Sequence, residues 1–187
     1  MDPPFHGFDL STFWDDTEHA RGAYTDGPLT PERIAEVEAD LGVRLPAAYV
    51  RLMETRNGGI PRNCCFPTEQ PTSWAEDHVA ISGISGIGRR GYSLCGGLGS
   101  KFMQEEWGYP EIGICICPCP SGGHDLIMLD YRECGPRGEP AVVHVDQESD
   151  FAITFLAPDF ETFIRGLVHP SVFDTSDGDL KRQLDDV

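Results

Sequence analysis

Two short apolar runs near the middle of the chain constrain the fold more than any other feature. Residues Ile112–Cys117 and Asp125–Asp130 are rich in β-branched and other apolar side chains, which is typical of strands. The Pro, Ser and Gly residues between them favour a turn. We therefore predict a central β-hairpin. Cys115, Cys117 and Cys119 occupy alternate residues, so they share one face if the first strand continues.

Two helices are predicted before the hairpin. Thr30 can cap a helix over Pro31–Leu41, because its apolar residues recur at helical spacing and Gly42 can end it. Pro46 starts a second helix, which ends at the turn residues 57–59. The short link between the helices makes them neighbours at a sharp angle.

Further elements follow the same patterns of periodicity and turn residues. One short helix and a last helix, opened by Pro158 and ended by Pro170, are expected, together with three more strands. The short helix covers Lys101–Trp107, and the strands cover Val79–Ile84, Ala141–Asp146 and Ile153–Leu156.

This order of elements predicts an α+β fold in a single domain. We expect a mostly antiparallel or mixed sheet of about five to six strands, with two N-terminal helices and one C-terminal helix packed on it. Residues 29–174 form this domain. Residues 1–28 form an N-terminal arm that packs on it, with a helical turn near Asp9–Trp14, and residues 175–187 form a polar, mobile tail.

The charge balance limits the classes of partner. With 31 acidic against 14 basic residues, the formal net charge is -17, which opposes binding to nucleic acid or to an anionic membrane and favours a basic partner. We see no signal peptide and no run long enough to span a membrane, so we expect a cytoplasmic protein. Its seven cysteines are then expected to be reduced thiols.

Several segments, taken in order, resemble the SUKH superfamily, specifically the group named for the fungal Smi and Knr cell-wall assembly regulators. The segments are LTPERIAEVEADLGVRLPAAYVRLMETRNGGIP, GGHDLIMLD, VVHVDQE and FETFIRGL. The most specific motif residues are Asn57, Gly58, Gly59, Gly123, Asp125 and Asp130.

The resemblance implies a single α+β domain without established catalytic residues or cofactors. Many bacterial members of the superfamily are thought to be immunity proteins that bind and block a toxin, whereas fungal relatives act as interaction hubs. We therefore expect a protein partner and no enzymatic activity. The resemblance does not name the toxin, and the oligomeric state is left open.

Three constellations could carry chemistry. The alternating cysteines with His124 and Cys134 offer zinc ligands, but their spacing differs from that of structural zinc sites, so ordinary buried thiols are favoured. Ser121, His124 and Asp125 lie in one turn, where Asp125 is expected to cap backbone donors rather than to join a catalytic triad.

The third constellation combines two strands. His144 and Asp146 share a strand face, and Asp130 could join them to bind a divalent cation. A hydrogen-bonded pair at the sheet edge is the favoured alternative, so no metal site is predicted. The glycine-rich stretch 83–90 lacks the GKS or GKT ending of a phosphate-binding loop and is interpreted as a flexible turn region, with Arg89 and Arg90 available for ion pairs.

An acidic rim with an aromatic anchor is the predicted partner-binding surface, because Trp is favoured at binding centres and carboxylates attract basic partners. It consists of Trp74, Glu76, Asp77, Asp146, Glu148 and Asp150. We hypothesise a non-enzymatic immunity protein that neutralises a toxin, such as a basic nuclease. The alternatives are a regulatory scaffold that binds housekeeping partners and a small zinc-binding protein.

Overall fold

A four-stranded antiparallel sheet, in the order β3-β4-β5-β6, lies at the centre of the fold. The computed structural model describes residues 3–174. Within that range a second sheet pairs two short strands, β1 and β2, also antiparallel. The strands are β1 Cys65–Pro67, β2 His78–Ala80, β3 Gly113–Pro118, β4 Asp125–Asp130, β5 Ala141–Asp146 and β6 Ala152–Ala157.

Five α-helices surround the sheets in the described residues, so the α+β prediction is confirmed. The α2 helix begins at Pro31 as predicted, because the Thr30 hydroxyl accepts a hydrogen bond from the Arg33 amide at 3.2 Å. It ends where Gly42 adopts a φ of 71°. The helices are α1 Glu18–Ala23, α2 Pro31–Leu41, α3 Ala47–Thr55, α4 Ser100–Glu105 and α5 Phe160–Gly166.

Each face of the central sheet is covered by its own apolar cluster. The larger cluster joins one face to α3 and α5, where the rings of Tyr49 and Phe160 lie 4.7 Å apart. The smaller cluster lies on the opposite face and includes Met103 of α4, Tyr109 and Val143. The strands β4 and β5 are therefore buried on both faces, which explains why they are almost continuously apolar.

The N-terminal arm contributes to the larger cluster. Phe5, Phe13 and Trp14 are buried in it. Within the predicted range Asp9–Trp14, the Phe13 amide donates a hydrogen bond to the Leu10 carbonyl at 3.3 Å and closes a single turn. A helix that was not predicted, α1, follows, and the Thr17 hydroxyl at its start accepts a hydrogen bond from the Ala20 amide. The tail predicted for residues 175–187 lies outside the described residues.

Several predicted elements differ in length. The strand predicted over Ile153–Leu156 extends over Ala152–Ala157, and the last helix covers Phe160–Gly166 and ends before Pro170. The strand expected over Val79–Ile84 is only the three residues of β2, because Ser82 and Ser85 leave that pairing and donate their amides to the carbonyls of Pro118 and Ile116 on β3. The helix expected over Lys101–Trp107 ends earlier, at Glu105.

The turn after α3 ties three parts of the chain together. The Asn57 side chain accepts a hydrogen bond from the Ile87 amide at 2.7 Å and donates to the carbonyls of Gly27 and Ile87. Gly58 has a φ of 88°, and a Cβ there would lie 2.3 Å from the Tyr24 carbonyl oxygen. Only glycine fits this position.

A β-bulge in β3 corrects the prediction that the three cysteines share a face. Cys115 pairs with Met128, but Cys117 pairs with Ile127, so Ile116 is an extra residue on the β3 side. The alternation is reset at that point. Cys115 consequently joins the smaller cluster, whereas Cys117 and Cys119 join the larger one.

No helix in residues 3–174 is long and apolar enough to cross a membrane.

Candidate functional site

The acidic rim is built from two loops at the same end of the central sheet. The first loop, residues 68–77, connects β1 to β2, and the second, residues 147–151, connects β5 to β6. The backbone amide of Ser73 donates a hydrogen bond to Asp146 Oδ2 at 3.0 Å. This contact places the two loops side by side.

Five of the six predicted rim residues are exposed. Trp74 is 39% exposed, and its amide is held by the Thr72 hydroxyl at 3.2 Å. The other four are carboxylates, two from each loop: Glu76, Asp77, Glu148 and Asp150. An aromatic side chain and four acidic groups thus face solvent at one end of the sheet.

Neighbouring histidines contact two of these carboxylates. Asp77 Oδ1 lies 2.8 Å from the Nδ1 of His78, and Glu148 Oε1 lies 2.8 Å from the Nδ1 of His124. The 147–151 loop is anchored by Phe151, whose ring packs edge-on against Tyr109 at 5.3 Å. The loop is therefore fixed to the sheet while its carboxylates stay in solvent.

Asp146, the sixth predicted rim residue, occupies a different position. It is 2% exposed, and its Oδ2 accepts hydrogen bonds from the Ser73 amide and the Ser149 hydroxyl, both at 3.0 Å. Burial acts to raise the pKa of Asp146, but these hydrogen bonds and the nearby His144 outweigh it, so the pKa lies below its usual value. Asp146 joins the two loops from beneath and does not face a partner.

A second group of polar residues is buried beside Asp146. We call Cys119, Asp125 and His144 the buried trio, because their Sγ, carboxylate oxygen and imidazole nitrogen all lie within 4.8 Å of one another. The three residues are between 0% and 3% exposed. His144 Nε2 lies 2.7 Å from Asp125 Oδ2.

The sheet register explains how the trio forms. Asp125 on β4 is directly opposite Asp146 on β5, and Ile127 is opposite His144. Directly opposed residues share a sheet face, so Asp125, His144 and Asp146 all point into the larger cluster. Cys119 reaches the same face because the bulge resets the alternation of β3.

Asp130 does not join His144 and Asp146, as the cation-binding combination considered from the sequence would require. Asp130 is opposite Ala141 at the other end of β4 and points to the other face. Its carboxylate accepts three hydrogen bonds from the Arg132 guanidinium, at 2.6 to 3.1 Å, and one from the Arg132 amide at 3.0 Å. The carboxylate that joins His144 from the neighbouring strand is Asp125.

The other sequence-based combinations are not assembled. Ser121 Oγ accepts a hydrogen bond from the Asp125 amide at 3.1 Å, so the serine caps this turn, and the prediction that Asp125 caps it is wrong. The His124 side chain is half exposed and faces Glu148. Cys134 is exposed and follows the opposite end of β4.

Electrostatics oppose a nucleophilic role for Cys119. Burial, followed by the neighbouring Asp125 carboxylate, raises the pKa of the Cys119 thiol well above its ordinary value. A catalytic cysteine instead requires a lowered pKa or an adjacent base. Thiol, carboxylate and imidazole are, however, all ligands that a divalent cation such as Zn²⁺ accepts.

A cleft opens beside the buried trio. It encloses about 420 Å³, and its walls include Tyr24, Tyr92, Phe102, Trp107, Cys119 and Gly123. Gly123 has a φ of 108°, and a Cβ there would lie 2.9 Å from the Trp107 ring. Close packing of the indole on this turn therefore requires glycine.

The glycine-rich stretch 83–90 is a turn region, as predicted, but it is closely packed against other parts of the chain, whereas a flexible region was expected. A Cβ on Gly86 would lie 2.6 Å from the Asn57 carbonyl oxygen, and one on Gly88 would lie 2.1 Å from Asp26 Oδ2. Arg89 forms the expected ion pair at the surface, with Asp40. Asp26, which the sequence did not single out, accepts hydrogen bonds within this region.

Comparison with known proteins agrees with the resemblance seen in the sequence motifs. A search of curated proteins found no match. A family model described as SMI1 / KNR4 family (SUKH-1) matches residues 28–166. The matched region includes the helices from α2 to α5, all six strands, the acidic rim and the buried trio. Because it covers well over half of the sequence, the chain belongs to the SMI1/KNR4 family (SUKH-1).

Proposed function

We propose that this protein is a non-enzymatic binding module that acts as an immunity protein and neutralises a toxin domain with a basic surface. The observation that carries the proposal is the exposed part of the acidic rim, where Trp74 stands beside four carboxylates on two joined loops. Family membership is consistent with a module of this kind.

The composition of the surface supports a basic protein partner. A tryptophan offers a large apolar contact and is enriched among the residues that contribute most to binding energy. The surrounding carboxylates would attract a positively charged surface and accelerate association. The formal charge of -17 adds long-range attraction of the same sign.

The fixed geometry of the two loops supports a preformed surface. The Ser73–Asp146 hydrogen bond joins them, and Phe151 anchors the second loop on Tyr109. A surface that is ordered before binding loses less conformational entropy when the partner arrives. This arrangement suits a protein that must capture a toxin quickly.

A non-enzymatic role is consistent with the buried trio. Its thiol lies beside the Asp125 carboxylate, and burial raises the pKa of the thiol well above its ordinary value. A protein that blocks a toxin by covering it needs no reacting group of its own.

The experiment is co-expression of the full chain with the toxin domain encoded beside its gene. We expect survival of the cells, a complex on size-exclusion chromatography, and association that slows as salt rises. Trp74→Ala should weaken binding by about 2 kcal/mol or more if the indole is central to the interface.

A matched pair of charge variants separates the rim from the total charge. The rim variant combines Glu76→Lys, Asp77→Lys, Glu148→Lys and Asp150→Lys, and the control combines Glu36→Lys, Glu105→Lys, Glu106→Lys and Glu133→Lys. All eight glutamates and aspartates are exposed, and both variants change the net charge equally. Loss of protection only in the rim variant supports the proposal. Equal behaviour of the two variants contradicts it.

If no neighbouring toxin is neutralised and the protein instead captures cell-wall or signalling proteins, the immunity proposal is wrong and a regulatory scaffold takes its place.

A further inference from the structure

We propose that the buried trio, Cys119, Asp125 and His144, is a binding site for a divalent cation, with Zn²⁺ the best match. The trio lies beneath the exposed residues of the acidic rim, and the proposal does not depend on the toxin-binding function.

Three different types of metal ligand converge in the buried trio. A thiol sulfur, a carboxylate oxygen and an imidazole nitrogen lie within 4.8 Å of one another, although they come from the end of β3, from β4 and from β5. In a tetrahedral zinc site, metal–ligand bonds of about 2.0 to 2.3 Å hold such atoms roughly 3 to 4 Å apart. Small side-chain shifts would therefore bring all three onto one ion.

Polar atoms without hydrogen-bond partners lie in and beside the trio, which is an observation independent of the ligand distances. Among the described residues, Asp125 Oδ1 and His144 Nδ1 are buried without a hydrogen-bond partner, and so is Asp146 Oδ1. Buried polar atoms without a partner are rare and costly. Three of them in adjacent residues of paired strands indicate that a polar or charged group belongs there.

Asp146 is the candidate for a fourth ligand. It lies directly opposite Asp125 across the β4–β5 pair. Its Oδ2 is fixed by Ser73 and Ser149, while its Oδ1 is unpaired. Hydrogen bonds to one oxygen of a carboxylate are a common way to orient the other oxygen toward a metal.

The ligand chemistry selects the class of cation. Mg²⁺ and Ca²⁺ prefer all-oxygen sites, whereas a site with sulfur, imidazole nitrogen and carboxylate suits Zn²⁺. When the ion binds, the Cys119 thiol gives up its proton to solvent and becomes a thiolate ligand. The hydrogen bond between Asp125 and His144 opens, and both groups turn to the ion.

The cleft supplies an entry path. Cys119 lies on its wall, next to the turn that contains Gly122 and Gly123. An ion can therefore reach Cys119 from solvent without unpacking of the apolar clusters on the sheet.

The test is zinc binding by the purified full chain after chelator treatment and dialysis. Titration with zinc chloride, followed by calorimetry, should show one equivalent bound. Substitution of Co²⁺ should produce the sulfur-to-cobalt absorption band and the visible bands of a tetrahedral site. A wild-type protein that binds no Zn²⁺, or that binds Co²⁺ without a sulfur band, overturns the proposal.

The matched variants are Cys119→Ser and Cys117→Ser. Both thiols are buried in the same hairpin, but only Cys119 belongs to the trio. We expect Cys119→Ser to weaken zinc binding on the order of 100-fold and Cys117→Ser to leave it within a few-fold of wild type. Equal weakening in both, or in neither, assigns the ion to another site.

Asp125→Asn provides a check if Cys119→Ser does not fold. It keeps the side-chain shape and removes a ligand charge, so it should lose zinc affinity while the circular dichroism spectrum of the metal-free protein stays native. Zinc binding of wild-type strength in this variant would also overturn the proposal.

Discussion

The buried carboxylates of Asp26 and Asp125 differ in how many hydrogen bonds they accept. The Asp26 side chain is 3% exposed and accepts hydrogen bonds from the amides of Gly27 and Arg90, the hydroxyl of Ser93 and the guanidinium of Arg33, all between 2.6 and 3.0 Å. Asp125 is 1% exposed, but among residues 3–174 its Oδ2 is hydrogen-bonded only to His144 and its Oδ1 is unpaired.

Asp26 has a structural role, whereas Asp125 is a candidate functional residue. Asp26 connects the N-terminal arm, α2 and the glycine-rich stretch, so its charge is fully used in holding the fold. Asp125 uses little of its hydrogen-bonding capacity within the described residues. A buried group that the fold does not satisfy is better explained by a ligand than by stability.

The largest expected difference comes from the same substitution at both positions. Asp26→Asn should lower the free energy of unfolding by about 2 to 4 kcal/mol. Four donors would lose a charged acceptor, and the NH2 group of the asparagine would face donors where it needs an acceptor. Asp125→Asn should cost about 1 kcal/mol or less in chelator, because the amide keeps an acceptor for His144 and removes a buried charge. Urea unfolding of the two variants measures this difference. Equal losses in the free energy of unfolding would contradict the claim that Asp26 stabilises the fold more than Asp125 does.

Acid should remove the contribution of Asp26. Burial acts to raise its pKa, but the hydrogen bonds and Arg33 outweigh that effect, so the pKa lies below its usual value. A lowered pKa stabilises the fold above the pKa of the unfolded chain, and the stabilisation is lost as pH falls through the folded value. The difference between wild type and Asp26→Asn should thus be constant near neutral pH and shrink below about pH 4. A difference that grows in acid would contradict this sign.

Crowding against Asp26 should cost less than the removal of its charge. A Cβ on Gly88 would lie 2.1 Å from Asp26 Oδ2, so Gly88→Ala must displace the carboxylate and should destabilise by about 1 to 3 kcal/mol. Gly97→Ala is the control, because nothing lies within 4 Å of its Cβ position and it should stay within about 1 kcal/mol of wild type. Thermal or urea unfolding measures both changes.

The smallest difference should come from single hydroxyls at the two centres. Ser93→Ala removes a buried donor to Asp26 and should cost about 1 kcal/mol. Ser149→Ala removes an exposed donor to Asp146, which keeps the Ser73 amide, and should cost about 0.5 kcal/mol or less. Ser149→Ala should instead reduce zinc affinity about tenfold, since Asp146 would be less well oriented.

Much of the fold could be predicted from local patterns. The bounds of α2, β4 and β5 are confirmed at both ends, because capping residues and turn residues mark them in the sequence. The three residues of β1 carry no such pattern, and their pairing with β2 depends on tertiary contacts. The bulge at Ile116 was equally invisible, since an extra residue in a strand changes register without changing composition.

The candidate sites were predicted unevenly. The exposed rim residues lie in polar loops, where sequence is informative about exposure. The burial of Asp146 follows from its position on the same strand face as His144, beneath a loop whose path no local pattern reveals. Asp125 could have been placed beside His144 from a full pairing of β4 with β5, in which Asp125 is opposite Asp146 and Ile127 is opposite His144. Asp26 gave no comparable signal, because its partners other than Gly27 are 7 to 67 residues away in the chain.

The bulge in β3 also marks where the length of this strand can vary. Without Ile116, Cys115 could stay paired with Met128 and Cys117 with Ile127, and the residues on both sides would keep their sheet faces in strict alternation. The bulge is therefore the position at which β3 can lose one residue without a change in its pairing with β4, although the larger cluster would lose the buried Ile116 side chain. Insertions of any length are easier to accommodate in the loop of residues 131–140, which connects β4 to β5.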